Sequence, residues 1–175
     1  MAERDWSGDV TFDEAASDEG GAGEETPATA TMTVTDVNEG PTTGDAVESG
    51  AEDAASISVS ITGAEVDGTV DSFSVSSLPT DGTLYIDAGL TTVAATGTDY
   101  AASGGSLTLY FVPDADFNGD VTFDYAATDD DGAVDATPAT ATITVTDVND
   151  GPTTADAVAS GAEDAASIPV TITGS

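Results

Sequence analysis

Residues 5–63 align without a gap on residues 116–174, and 44 of the 59 positions are identical. The offset is 111 residues, the size of one ordinary domain. "GDVTFDEAASDEGGAGEETPATATMTVTDVNEGP" lies over "GDVTFDYAATDDDGAVDATPATATITVTDVNDGP", and "SGAEDAASISVSITG" over "SGAEDAASIPVTITG". A repeat of this length confines the chain to a tandem array in which each unit closes its own core. The period divides the sequence into 1–40, the C-terminal part of a preceding repeat; 41–151, one complete repeat; and 152–175, the N-terminal part of a following one. On this division the chain reads as a fragment of a longer array. Its part-repeat 1–38 holds too few strands to close a core, so it is expected to be disordered or to pair with a neighbouring chain.

Inside the repeat the apolar residues alternate, which is the period of a half-buried strand. "SISVSIT" places Ile57, Val59 and Ile61 on one face, "SLTLYFV" does so with Leu107, Leu109 and Phe111, and "DVTFDYA" with Val121, Phe123 and Tyr125. "ATATITVTD" turns Ala141, Ile143 and Val145 inward and Thr140, Thr142 and Thr144 outward. "DSFSVSS" and "GTLYID" add two strands, and "TGDAV" a short edge strand before them. Gly, Pro and Asp clusters separate these segments, as turns require. About seven strands and no helical pattern in 111 residues predict an all-β fold, an antiparallel Ig-like sandwich. The linkers between units are a few residues long, so successive sandwiches sit end to end.

Charge sets the next bound. Thirty-four Asp and Glu face a single basic residue, Arg4, with no Lys and no His, for a formal net charge of −33. Nucleic acid and anionic membrane surfaces both require a basic patch, so neither is an expected partner. No run approaches the ~18 apolar residues of a membrane span. With no Cys, no disulfide holds the fold, and the core or a metal must do so. General acid–base and nucleophilic catalysis usually draw on His, Cys or Lys, so an enzyme is not expected.

The carboxylates are clustered, and the strand order gathers the clusters. The linkers carry Asp36, Asn38 and Glu39, then Asp147, Asn149 and Asp150 one repeat on. "GAED" holds Glu52 and Asp53; "GAEVDG" holds Glu65 and Asp67; "PDADFNGD" holds Asp114, Asp116, Asn118 and Asp120; "TDDDG" holds Asp129, Asp130 and Asp131. Asp5 stands one repeat before Asp116. The last strand runs down into the linker "TDVND", so the strand before it runs up. "PDADFNG" then lies at the lower pole, beside the departing linker, and "DDDG" and "GAEVDG" lie at the upper pole, beside the arriving one. Oxygen ligands from three parts of the chain meet at each junction, which suits Ca²⁺ with its six to eight flexible oxygens better than Mg²⁺. "DADFNG" matches the start of a calcium loop, but Tyr125 stands where an EF-hand needs its twelfth-position acid, and strands flank it. Each cluster alone also reads as an ordinary turn.

The motif "VTDVND" closing a sandwich and followed by "GP" resembles the D-x-N-D calcium linker of cadherin repeats. "SFSVSSLPTDGTLYI" and "FVPDADFNGDVTFDYAATDDDGAVDATPATATITVTDVND" are similar to bacterial cadherin-like repeats, the extender regions of calcium-dependent RTX-type adhesins. The resemblance implies an extracellular, cell-surface spacer for adhesion or biofilm, monomeric, whose partners are neighbouring repeats of the same chain. It implies Ca²⁺ on Asp147, Asn149 and Asp150; on Asp36, Asn38 and Glu39; on Glu52 at the lower pole; and on Glu65 and Asp67 of the following domain. Glu39 and Glu65 stand where the family pattern has Asp, and its lower-pole acidic triplet has no clean match, "DADFNG" standing in for it. The first junction is expected to be the more complete. A ligand-binding or homophilic adhesion module, for carbohydrate, ice or a cell surface, is the competing reading, suggested by the Thr-rich strands "TATMTVTD" and "TATITVTD".

Overall fold

The computed structural model describes residues 6–23 and 25–174. Two strands, β1 (Gly8–Glu14) and β2 (Ala28–Val34), precede the complete repeat. The repeat itself is built from β3 (Thr42–Thr43), β4 (Ala46–Ala51), β5 (Ile57–Ala64), β6 (Val70–Val75), β7 (Gly82–Tyr85), β8 (Asp99–Ala101), β9 (Ser106–Pro113), β10 (Gly119–Asp129) and β11 (Ala139–Thr146). The described residues contain no helix, and the strands form the expected sheets. One sheet has the order β4-β11-β10-β6-β8 and the other β3-β5-β9-β7.

Alternation decides which side chains meet between the sheets. Ile57, Val59 and Ile61 of β5 with Leu109 and Phe111 of β9 face Phe73, Val75, Val121, Phe123, Tyr125, Ile143 and Val145 of the other sheet in a single core. Leu107 is only partly buried, at the margin of that core. Thr140, Thr142 and Thr144 take the outer face, as the pattern predicts. Tyr125 is the largest fully buried side chain, and its ring packs at a tilt on Phe73 and Phe123, at centroid distances of 6.3 and 6.2 Å. Its hydroxyl donates to the Gly44 carbonyl. Burial of each such side chain is worth about 1.5–3 kcal/mol.

Within the complete repeat the structure differs from the sequence reading in three places. The stretch read as one edge strand, 43–47, is split between sheets: β3 pairs with β5, and β4 crosses to lie on β11. The crossing is held by the Tyr125 hydroxyl on Gly44 and by Asp45, whose Oδ1 accepts from Thr140 N at 2.9 Å. Second, β4 runs parallel to β11, so the sandwich is antiparallel in every other strand pair but mixed at this edge. Third, β8 carries no alternating pattern. It is a three-residue strand held on β6, with Tyr100 opposite Phe73.

The first part-repeat, expected to be disordered or to pair with a neighbouring chain, forms a β-hairpin among its described residues. β1 and β2 pair Gly8 with Val34 through Glu14 with Ala28, the register of Gly119 with Val145 through Tyr125 with Ala139. Thr29 and Thr33 hydroxyls donate to Asp13 and Asp9, as Thr140 and Thr144 donate to Asp124 and Asp120. Gly8 and Gly119 share a φ of +139°, open to glycine alone, with the Trp6 and Phe117 rings lying over them. Phe117 reaches the core margin, whereas Trp6 remains exposed.

Phe123 and Phe12 are equivalent positions, yet the first is fully buried and the second 55% exposed. Phe123→Ala should therefore lower the unfolding free energy by about 3–5 kcal/mol. In dilute chain, Phe12→Ala should leave the same transition within ~0.5 kcal/mol. Urea unfolding followed by tyrosine fluorescence distinguishes the two.

Candidate metal centres at the repeat junctions

At the upper pole the arriving linker is bonded to two loops of the repeat it enters. Asn38 Nδ2 donates to Asp129 Oδ2 at 2.8 Å, and Glu39 N donates to Asp67 Oδ2 at 3.1 Å. Gly40 lies against the Val134 carbonyl, and Pro41 is buried. The two loops are tied to each other: Thr69 N donates to Asp130 Oδ1 at 2.7 Å, and Asp130 N to the Thr69 carbonyl at 3.1 Å. A Cβ on Gly68 would sit 2.5 Å from Asp130 Oδ1 and 3.7 Å from Glu65 Cγ, so only glycine permits this approach. The predicted linker, "GAEVDG" and "DDDG" segments thus meet at one place.

The carboxylates there divide into two kinds. Asp129 is bonded at both oxygens: besides Asn38 on Oδ2, its Oδ1 accepts from Ala133 N at 2.7 Å and Asp131 N at 3.1 Å. The Asn38 amide, foremost, holds it below the usual carboxylate range; burial opposes this, and the loop amides of Ala133, Asp131 and Gly132 add to it. Its hydrogen bonding is that of a loop organiser, and Asp131 points to solvent. Glu65 and Asp67 are of the second kind. Glu65 Oε1 accepts from Val66 N and Asp67 Oδ2 from Glu39 N, but Glu65 Oε2 and Asp67 Oδ1 are buried with no donor. Asp36 is exposed on the linker.

At the lower pole the turn after β4 turns Glu52 inward and leaves Asp53 exposed. Glu52 is 8% exposed; its Oε1 accepts from Val148 N at 2.6 Å, and its Oε2 is buried with no donor. Asn118 Nδ2 reaches Asp147 Oδ1 at 3.4 Å, joining "PDADFNG" to the departing linker. Asp114 and Phe117 close a turn, with Asp116 in the left-handed region at φ +59°. Asp116 then lines a hollow with Asp150, Gly151 and Pro152, while the Asn149 amide bonds to the Asp150 carbonyl. Asp5 lies outside the described residues. Among the described residues no three carboxylates are grouped so as to hold a metal ion by themselves. No helix among them is long and apolar enough to cross a membrane.

Asp135 was not singled out in the sequence, because one Asp in "GAVDATP" looks like any turn residue. It is buried at the upper end of the sandwich and fully bonded. Oδ2 accepts from Thr43 N and Oγ1 at 2.7 and 2.6 Å, and Oδ1 from Thr137 N and Oγ1 at 2.8 and 3.1 Å. Burial pushes its carboxyl up, but the four Thr donors outweigh it and hold it below the usual carboxylate range. Comparison with known protein families and with curated proteins finds no match to this chain.

A lowered folded-state pKa adds stability that is complete above the unfolded value of 3.8 and lost as pH falls through the folded value. Asp135→Asn should therefore cost about 1–3 kcal/mol at neutral pH, since an amide cannot accept on both sides. The difference from wild type should begin to shrink below pH ~4, where the unfolded chain binds the proton first, and fade once the pH passes below the lowered folded value. Paired urea titrations across this range test it; a penalty independent of pH would contradict the assignment.

Proposed function

We propose that the chain is a structural extender: a tandem spacer whose junctions are stiffened by Ca²⁺. The observation that carries this reading is the set of buried, donor-less carboxylate oxygens at the junctions, Glu65 Oε2 and Asp67 Oδ1 above and Glu52 Oε2 below. A buried carboxylate oxygen without a donor is costly, and the only cationic side chain in the sequence is Arg4. A divalent cation supplies the missing counter-charge. Its preference for six to eight oxygens admits backbone and Asn carbonyls, so it does not need three carboxylates at one point.

At the upper junction Glu65 and Asp67 would hold the ion, with Asp36, Asn38 and Glu39 of the linker drawn in around it. At the lower junction Glu52 would do so with Asp147, Asn149 and Asp150. When bound, the ion cross-links a linker to the loops beside it, which removes the mutual repulsion of the carboxylates and the freedom of the hinge. Affinities of extracellular calcium modules, about 10⁻⁴ to 10⁻³ M, match a permanently calcium-rich setting. Carrying a binding tip away from a bacterial surface, for adhesion or biofilm, is the role the resemblance to adhesin extenders supports. The competing ligand-binding reading finds less support. The outward hydroxyls of Thr140 and Thr144 are spent on Asp124 and Asp120 within the sheet.

Thermal unfolding in EDTA, CaCl₂, MgCl₂ and ionic-strength-matched NaCl tests the proposal. The expected outcome is a transition raised by Ca²⁺ well beyond the other two salts. Equal shifts in all three would reduce the carboxylates to a screened acidic surface.

A further inference from the structure

The carboxylates of the complete repeat divide unequally between its two sheets. Glu48, Asp71, Asp99, Asp120, Asp124 and Asp129 lie on strands of the sheet β4-β11-β10-β6-β8, whereas β3, β5, β9 and β7 carry no charged residue. Asp81, Asp87, Asp114 and Glu65 stand beyond the ends of those strands, and Asp87 spends both oxygens on Thr91 and Thr92. In a chain of net charge −33, one whole sheet is therefore neutral. Alternation sets its outer face: Val59, Leu84, Leu109 and Phe111 turn into the core, so Ser58, Ser60, Tyr85, Thr108 and Tyr110 turn outward.

The register lines these side chains into rows. Ser58 stands opposite Tyr110, Tyr110 opposite Tyr85, and Tyr85 opposite Val93, a row that crosses three strand spacings, roughly 14 Å. Ser60 opposite Thr108 flanks it on one side, and Thr83 opposite Val112 on the other. The two tyrosines are half-buried and Val93 is 54% exposed. Ring contacts among the described residues are made by Tyr125 in the core, so neither Tyr85 nor Tyr110 stacks on another aromatic ring. The hydroxyls of this face are also unspent. On the acidic sheet Thr140 and Thr144 donate to Asp124 and Asp120. The side-chain hydroxyls of Ser58, Ser60, Tyr85, Thr108 and Tyr110 have no carboxylate beside them and make no hydrogen bond within the described residues.

We propose that this row is a docking strip for a neutral polysaccharide. The faces of a tyrosine ring are electron-rich, and a pyranose presents a face of C–H bonds that packs on them. The sugar's rim hydroxyls both donate and accept, as do those of Ser58, Ser60 and Thr108. Charge selects among occupants. An anionic polymer or a second copy of the chain is repelled by the −33 charge, and a cationic partner is drawn to the acidic sheet and the poles. A neutral glycan meets neither penalty. None of the strip's residues belongs to a junction, so the contact adds to the spacer and does not depend on its calcium. A flat strip without enclosing walls binds weakly, which calls for a polymeric probe.

Affinity electrophoresis of the full chain in EDTA tests this, in native gels containing dextran, laminarin or xyloglucan, with alginate as the anionic control. Migration should be retarded in at least one neutral gel and not in alginate. Tyr85→Thr and Tyr110→Thr remove a ring and keep a strand-favouring hydroxyl side chain, so their melts should stay near that of wild type. Each should weaken the retarding interaction about tenfold. Val93→Ser, outside the strands, is a milder trim of the same row and should weaken it less; Trp6→Ala should leave it unchanged. No retardation in any neutral gel, or retardation that survives both tyrosine substitutions or disappears with Trp6, would overturn the proposal. So would a mass by light scattering that rises with concentration and falls with the tyrosine substitutions in the absence of retardation, which would assign the row to a second copy. None of these results bears on the calcium-dependent melt.

Discussion

The structure depends on how a chain with almost no cationic side chains can bury carboxylates. Most of the answer is hydrogen bonding from backbone N–H and Thr or Ser hydroxyls. Asp135 takes four such donors from Thr43 and Thr137, and Asp129 takes the Ala133 and Asp131 amides. Outside the core the same donors serve half-buried and exposed carboxylates: Asp124 accepts from Thr140 and Ser77, and Asp120 from Thr144. At Asp135 and Asp129 such donors hold the carboxyl below the usual carboxylate range despite burial. The abundance of Thr in this sequence is therefore the counterpart of its abundance of Asp. Where this supply runs out, at Glu52, Glu65 and Asp67, the oxygens without donors stand at the two poles through which the linkers pass.

This separates carboxylates that build the fold from carboxylates that have something left to bind. Asp129 and Asp67 are both acidic loop residues beside the same linker. Asp129 spends both oxygens within the protein, while Asp67 spends one on Glu39 N and keeps the other. Asn38 docks the linker on the domain through Asp129, a geometry that the proposed cation would lock.

Much of the fold was legible in the sequence because a strand with one buried face writes itself as alternation, and β5, β9, β10 and β11 each do so. The crossing at Gly44 was not legible, because it rests on a hydroxyl from Tyr125, 81 residues away. Nor was β8, whose three residues are too few to show a period. At the junctions, the direction of β10 and β11 sufficed to bring the linker, "GAEVDG" and "DDDG" together. The sequence could not separate Asp129 from Glu65, since the difference lies in which oxygen meets a backbone N–H. For the same reason Asp135, buried and central, looked like a turn. The order of the hairpin β1–β2 also escaped the reading, which weighed its missing core and not the Thr–Asp bonds and Gly8 geometry that hold it locally.

The central claim is that Glu65 and Asp67 are held unsatisfied for a cation. The most direct test is the combined variant Glu65→Gln, Asp67→Asn, which keeps shape and the bonds from Val66 N and Glu39 N but removes both charges. Its unfolding free energy should exceed that of wild type in EDTA and fall below it in saturating CaCl₂, a reversal of order driven by one ion. A variant less stable than wild type in both conditions, by the same margin, would mean that these carboxylates serve the fold alone.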